Sequence, residues 1–84
     1  MDYRYIVRPC GIIINGNTIL LVRSEYHNEE FFVLPGGKLE NNESLKDCLK
    51  REIKEETNLD INPKKLVYVR DFITQKEHVL DMFF

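Results

Sequence analysis

Apolar residues fall in short, nearly unbroken runs along the first third of the chain, then at helical spacing through its middle. Ile12-Ile13-Ile14 and Ile19-Leu20-Leu21-Val22 flank Asn15-Gly16. An Asn-Gly pair between apolar runs marks a tight hairpin, because both of its turn positions need positive φ. Tyr3 to Val22 therefore reads as two strands, and their continuous aliphatic character predicts cover on both faces. Arg23 to Glu30 is polar and reads as a loop. Phe31 to Leu34 reads as a short strand stopped by Pro35, and Gly36-Gly37 as a tight turn with accessible backbone.

The helical spacing predicts a helix from about Glu43 to Thr57. Asn41 or Asn42 is placed to cap its start, with Glu43 and Ser44 in the first turn. Asn58 is placed to end it in the left-handed conformation, with Leu59 set for the accompanying apolar contact. Asp60 to Lys65, with Pro63, reads as a connector. Leu66 to Ile73 reads as a strand, Thr74 to Glu77 as a polar turn, and His78 to Phe84 as the start of a further strand. The last residues, Asp81-Met82-Phe83-Phe84, fall inside an apolar strand, so the pattern predicts that part of the parent domain lies beyond them.

The length of 84 residues allows one domain with a small core. Hydrophobic residues at 43% and charged residues at 31% fit a folded chain rather than a disordered tail. The formal net charge of -2 disfavours a broad nucleic-acid clamp. No apolar stretch approaches the ~20 residues of a membrane span, and Met1-Asp2-Tyr3-Arg4-Tyr5 lacks the apolar run of a signal peptide. Cys10 and Cys48 form no CxxC motif or Cys/His cluster. They read as two small buried thiols in a reducing compartment, and a cytoplasmic location is expected.

The chemistry concentrates in Gly36-Gly37-Lys38-Leu39-Glu40-Asn41-Asn42-Glu43 and Arg51-Glu52-Ile53-Lys54-Glu55-Glu56. On a helical wheel, Leu45, Cys48, Leu49 and Ile53 share one face, and Lys46, Asp47, Lys50 and Lys54 the opposite one. Glu52 and Glu56 fall inside the apolar arc and Glu55 at its edge, at the i, i+3, i+4 spacing that brings side chains together. Three like charges near the interior and near a helix C-terminus are costly without a partner. Arg51 is expected to neutralise only one. A divalent cation would relieve the repulsion, and oxygen-only ligands suit Mg²⁺ or Mn²⁺. The same residues also fit an unliganded helix end with Asp47–Arg51 and Arg51–Glu55 pairs. The glycine turn favours a ligand, because its carbonyls can join a metal site and its backbone allows close approach. Such a site suits phosphates and the activation of water.

Gly37, five residues, Glu43, seven residues, then Arg51-Glu52-Ile53-Lys54-Glu55-Glu56-Thr57-Asn58-Leu59 resembles the Nudix box, G-x5-E-x7-R-E-U-x-E-E-x-G-U. Every fixed position matches except Asn58, which stands where the family usually has glycine. Leu34-Pro35-Gly36-Gly37 also resembles the family, with Phe32 at a common tryptophan position and Asn42 at a common glycine. The resemblance implies an α/β (α+β) fold, an α/β/α sandwich around a mixed sheet. It also implies hydrolysis of a nucleoside diphosphate linked to another moiety. By position, Glu52, Glu55, Glu56 and the Gly37 carbonyl would hold metal, with Glu52 or Glu56 as a base. Arg51 would orient a glutamate, foremost Glu52, and Glu43 would support the helix and Arg51 and reach the metal through water in some members.

Arg23 and Lys38 are candidates for substrate phosphate, with a solvated role the simpler alternative for each. Phe31, Phe32, Tyr5 and Tyr68 could stack on a base, but core packing is expected for most of them. His27 and His78 are expected at the surface. Nucleoside triphosphates, ADP-ribose, dinucleoside polyphosphates and capped RNA ends all stay open as substrates. The competing readings are a nucleotide-binding or regulatory module without turnover, and a fragment that pairs into a homodimer through an open sheet edge.

Overall fold

β7 (Glu77–Phe83) is the strand around which the rest is ordered. Its burial alternates, with Val79, Asp81 and Phe83 turned inward, the period of a strand with one covered face. The computed structural model describes residues 2–84. In it β7 runs parallel to β1 (Arg4–Cys10) and antiparallel to β6 (Tyr68–Ile73), a mixed sheet in the order β1-β7-β6. The β6–β7 turn is closed by Thr74, whose N–H donates to Glu77 O at 2.8 Å and whose hydroxyl accepts from Glu77 N at 3.0 Å. A parallel pair needs a long crossover, and the one between β1 and β7 contains the helix α1 (Leu45–Thr57). The expected mixed α/β organisation is present, with one helix among the described residues.

α1 buries Cys48, Leu49 and Ile53. Full burial of Leu49 and Ile53 contributes roughly 1.5–3 kcal/mol each. They pack where β1 ends, and a Cβ built at Gly11 would stand 2.8 Å from Ile53 Cδ1. The helix starts later than the sequence pattern predicts. Its N-cap is Ser44, whose hydroxyl accepts from Asp47 N at 3.1 Å, rather than Asn41 or Asn42. Asn42 instead takes φ 65° in the approach to the helix. The expected C-cap is present: Asn58 is left-handed at φ 63°, and its N–H donates to Lys54 O at 2.9 Å. Asn42 and Asn58, which stand at the two family glycine positions, both adopt the conformation that glycine would supply.

The segment from Pro35 to Leu39 is strapped along the free edge of β1. Gly11 N–H donates to Pro35 O at 2.8 Å, Gly37 N–H to Pro9 O at 3.2 Å, and Leu39 N–H to Val7 O at 2.8 Å. At Gly36 the backbones meet so closely that a Cβ would overlap the Pro9 carbonyl oxygen. This strap ties the glycine turn to the sheet and sets it beside the helix.

The N-terminal hairpins differ from the sequence expectation. Ile14–Asn15 (β2) pairs with Thr18–Ile19 (β3), so the turn is Gly16-Asn17, one residue later than Asn15-Gly16. Only Gly16 has positive φ there, at 62°. The polar stretch read as loop is a second hairpin, β4 (Val22–Tyr26) with β5 (Glu29–Val33). Its turn is His27-Asn28, both at positive φ. The expected cover on both faces is absent among the described residues, where Ile14 is 66% and Ile19 48% exposed. The aromatic residues expected in the core are also outside it: Tyr5, Phe31, Phe32 and Tyr68 are all exposed. These side chains lie on two-stranded ribbons or on outer strand positions, where no second layer among the described residues meets them.

Candidate functional site

Arg51 is the hub of the site. Its Nε and Nη2 donate to the two Glu43 carboxylate oxygens at 3.0 and 2.9 Å, a two-pronged ion pair. Its Nη1 donates to Glu52 Oε1 at 2.9 Å and to Glu55 Oε1 at 3.1 Å. Glu40 stands 3.6 Å away. One guanidinium therefore meets several carboxylates, where the sequence suggested only one. The pairing holds the Glu43 carboxyl at about 2, with the Glu40 N–H as the second contributor. It also raises Arg51 further above its already high value. The Lys38 carbonyl accepts from Arg51 Nη2 at 3.5 Å, which ties the glycine loop to the same hub.

Glu56 faces the strap from the next turn of α1, where its Oε1 accepts the Gly36 N–H at 3.1 Å. Its carboxyl is raised from the ordinary value, first by burial and then by the charge of Glu52, against the lowering effect of Gly36 N–H and Arg8. Glu52 presses on Gly37 so closely that a Cβ there would overlap its carboxylate. Glu52 is half-buried and Glu55 exposed. The predicted residues Gly37, Arg51, Glu52, Glu55 and Glu56 are thus joined by contacts around one end of the strap. Among the described residues, no three His, Cys, Asp or Glu side chains converge into a ready metal cage. Glu52 and Glu55 turn to Arg51, and Glu56 turns to the Gly36 N–H.

Neither phosphate candidate joins this hub through its charged group among the described residues, although the Lys38 carbonyl does. Arg23 sits on β4, where it pairs with Glu30 at 3.6 Å and is largely exposed. Lys38 is exposed within the strap. Both cysteines are buried, as expected. Burial and the neighbouring Glu43 push the Cys48 thiol up to about 12, which leaves it unreactive. His27 is exposed as expected, while His78 is partly covered and meets Asp71 Oδ2 at 2.6 Å.

Sequence reasoning missed a second polar cluster. Asp81 on β7 is 4% exposed. Its Oδ2 accepts from Arg70 Nε at 3.1 Å, and Arg8 Nε lies 4.0 Å from its Oδ1. The available signal was a lone aspartate inside the apolar run His78-Val79-Leu80-Asp81-Met82-Phe83. Its partners come from β6 and β1, and only the sheet register brings them together.

A mixed sheet, a crossover helix and a glycine strap held against helix carboxylates describe an α/β fold with an acidic, oxygen-rich site. A family model for the NUDIX domain matches residues 5–84, and the chain belongs to the Nudix family. It is 37% identical over 91 residues to the ADP-ribose pyrophosphatase of Methanocaldococcus jannaschii, covering 98% of this chain and 53% of that protein. It is 39% identical over 56 residues to the NAD-capped RNA hydrolase NudC of Vibrio atlanticus, covering 64% of this chain and 21% of that one. The solved MutT protein from Methanosarcina mazei superposes with a TM-score of 0.84 at 29% identity, covering 99% of this chain and 63% of that one. The chain thus spans about half the length of the archaeal pyrophosphatase and a smaller share of NudC. Among the described residues, no helix is long and apolar enough to cross a membrane.

Proposed function

We propose that this site hydrolyses the pyrophosphate bond of a nucleoside diphosphate derivative with Mg²⁺, or Mn²⁺ in its place. The observation that carries the reading is the convergence of Glu52 and Glu56 on the Gly36-Gly37 strap, with Arg51 holding Glu52 and Glu55. The residues fit a hard cation. The donors are all oxygens, and the Glu56 carboxyl is raised first by burial and then by the charge of Glu52, both of which a bound cation would offset. Glycine at position 37 leaves room beside Glu52 that any other residue would fill.

Glu52, Glu55, Glu56 and the Gly37 carbonyl would hold the cation, once the carboxylates swing from their present partners. When bound, it would neutralise the pyrophosphate and lower the pKa of water. Glu52 or Glu56 takes the proton of the attacking water as general base. Arg51 positions Glu52, and the Glu43 pair fixes the guanidinium plane in turn. Lys38 is assigned a phosphate contact because it is exposed on the strap, next to Gly37. Arg23 is assigned a second one, with Glu30 3.6 Å from its guanidinium. The archaeal relative makes ADP-ribose the first substrate to try.

The test is product release from a nucleotide panel, with and without Mg²⁺, on wild type and Glu56→Gln. Metal-dependent turnover that Glu56→Gln abolishes is expected. Nucleotide binding with no turnover would overturn the hydrolase reading in favour of a binding module.

A further inference from the structure

The glycine strap is tied to α1 at two points, one on each side of Gly37. On the near side, the Gly36 N–H donates to Glu56 Oε1 at 3.1 Å. On the far side, the Lys38 carbonyl accepts from the Cys48 thiol at 3.6 Å and from Arg51 Nη2 at 3.5 Å. The peptide that carries this carbonyl reaches in two directions. Its N–H, on Leu39, donates to Val7 O of β1 at 2.8 Å. Its carbonyl lies trans to that N–H and turns to the helix.

Cys48 is fully buried, and the hydrolytic reaction gives it no part. Burial first, and Glu43 second, keep it a neutral thiol with a proton to donate. Its sulfur also accepts from Arg51 Nη2 at 3.7 Å, so the thiol stands between the hub and the strap. Sulfur is a weak donor and a weak acceptor, and its one proton has two acceptors in reach. These are the Lys38 carbonyl and the Glu43 carboxylate. Glu43 already receives Arg51 Nε, Arg51 Nη2 and the Glu40 N–H. Among the described residues, the Lys38 carbonyl has only the long bond from Arg51 besides the thiol. The unmet need lies at the carbonyl.

We propose that Cys48 is a positioning residue, its thiol holding the Lys38 carbonyl so that the strap keeps Gly37 in place when Glu56 turns to the cation. This inference rests on the hydrolase reading for the role of the cation, and on the hydrogen bonds alone for the contact. Glu56 gives up the Gly36 N–H when it swings to a metal, and the near tie is then lost. A protonated thiol is a poor ligand for a hard cation that takes oxygen, so the far tie stays. Cys48 thus acts on the Gly37 carbonyl through the next peptide, without touching cation or substrate.

The experiment measures Mn²⁺ affinity by electron paramagnetic resonance, without nucleotide, on wild type, Cys48→Ala and Cys48→Ser. Metal-free thermal melts and the infrared S–H stretch are recorded alongside. Alanine removes the donor, and serine keeps one. Cys48→Ala should bind Mn²⁺ about threefold to tenfold more weakly, the range of one lost neutral hydrogen bond. Cys48→Ser should recover most of that loss. The S–H band that disappears in Cys48→Ala should lie at the lowered frequency of a donating thiol. Wild-type affinity in Cys48→Ala would overturn the inference. An equal loss in both folded variants would overturn it too, since the side chain would then only fill space. A band at the free-thiol frequency would do the same. Mn²⁺ binding by a wild type that turns over no nucleotide would sink the hydrolase reading alone, and the ratio of alanine to wild-type affinity would still decide the role of Cys48.

Discussion

Gly37→Ala separates the chemistry of the site from its folding. Gly37 does not have positive φ, so its backbone accepts a side chain without strain. What excludes one is Glu52: a new Cβ would overlap the carboxylate carbon and both oxygens, the farther oxygen at 2.8 Å. Ordinary contact begins at about 3.4 Å, so the carboxylate must retreat by about 1 Å. Because the obstacle is the far end of a flexible side chain, the fold has an easy escape. Stability should change by no more than about 0.5 kcal/mol, about 2–4 °C in the thermal midpoint of a domain this size. Catalysis has no such escape, since a misplacement of about 1 Å costs on the order of a hundredfold. The assay is kcat for Mg²⁺-dependent hydrolysis beside a thermal melt. Gly36→Ala is the contrast, because there the obstacle is the Pro9 backbone and the fold itself should suffer. A Gly37→Ala protein with wild-type kcat would refute the assignment of Glu52.

Asn58→Gly should hold or raise the thermal midpoint, while Asn58→Ala should lose about 1 kcal/mol, or about 4–8 °C, because alanine is strained at φ 63°. Equal melts for the two variants would contradict the left-handed cap. Glu43 favours the fold above the ordinary carboxylate value, and this contribution fades as pH falls from 4.5 through about 2. Thermal midpoints of wild type and Glu43→Gln should therefore differ at pH 6 and converge toward pH 2, and a gap that stays constant would refute the pairing with Arg51. In the metal-free protein, carboxyl NMR should show Glu56 titrating above the ordinary value, and Glu52→Gln should bring it down, since Glu52 is one cause of the rise. No movement would show that the two carboxylates do not face each other.

The glutamate site was legible because its parts lie in one strap and one helix. Local spacing alone puts Glu52, Glu55 and Glu56 on adjoining turns, and Arg51 and Glu43 are within reach of them. Asn58 was legible for a similar reason, since a left-handed cap is a property of one residue and its neighbours. The helix start was ambiguous because Asn41-Asn42-Glu43-Ser44 offers several capping side chains, and the choice depends on which reaches a free N–H. Of the β4–β5 hairpin only the end of β5, within Phe31 to Leu34, showed a strand pattern. Its strands carry Arg23, Glu25, Glu29 and Glu30 in an exposed ribbon, and its turn uses His27-Asn28 without glycine. Asp81 escaped notice because its meaning depends on Arg70 and Arg8, which the sheet register supplies from two other strands. Arg51 was underestimated because spacing says which groups can meet, and not how many one planar guanidinium can serve at once.

The most direct measurement is Mn²⁺ affinity by electron paramagnetic resonance, on wild type and on the Glu52→Gln and Glu56→Gln variants, without nucleotide. The account predicts that wild type binds the ion and that each variant binds it at least about tenfold more weakly, with melts that show both still folded. Unchanged affinity in either folded variant, or no binding by the wild type, would contradict the claim that these helix carboxylates hold the cation.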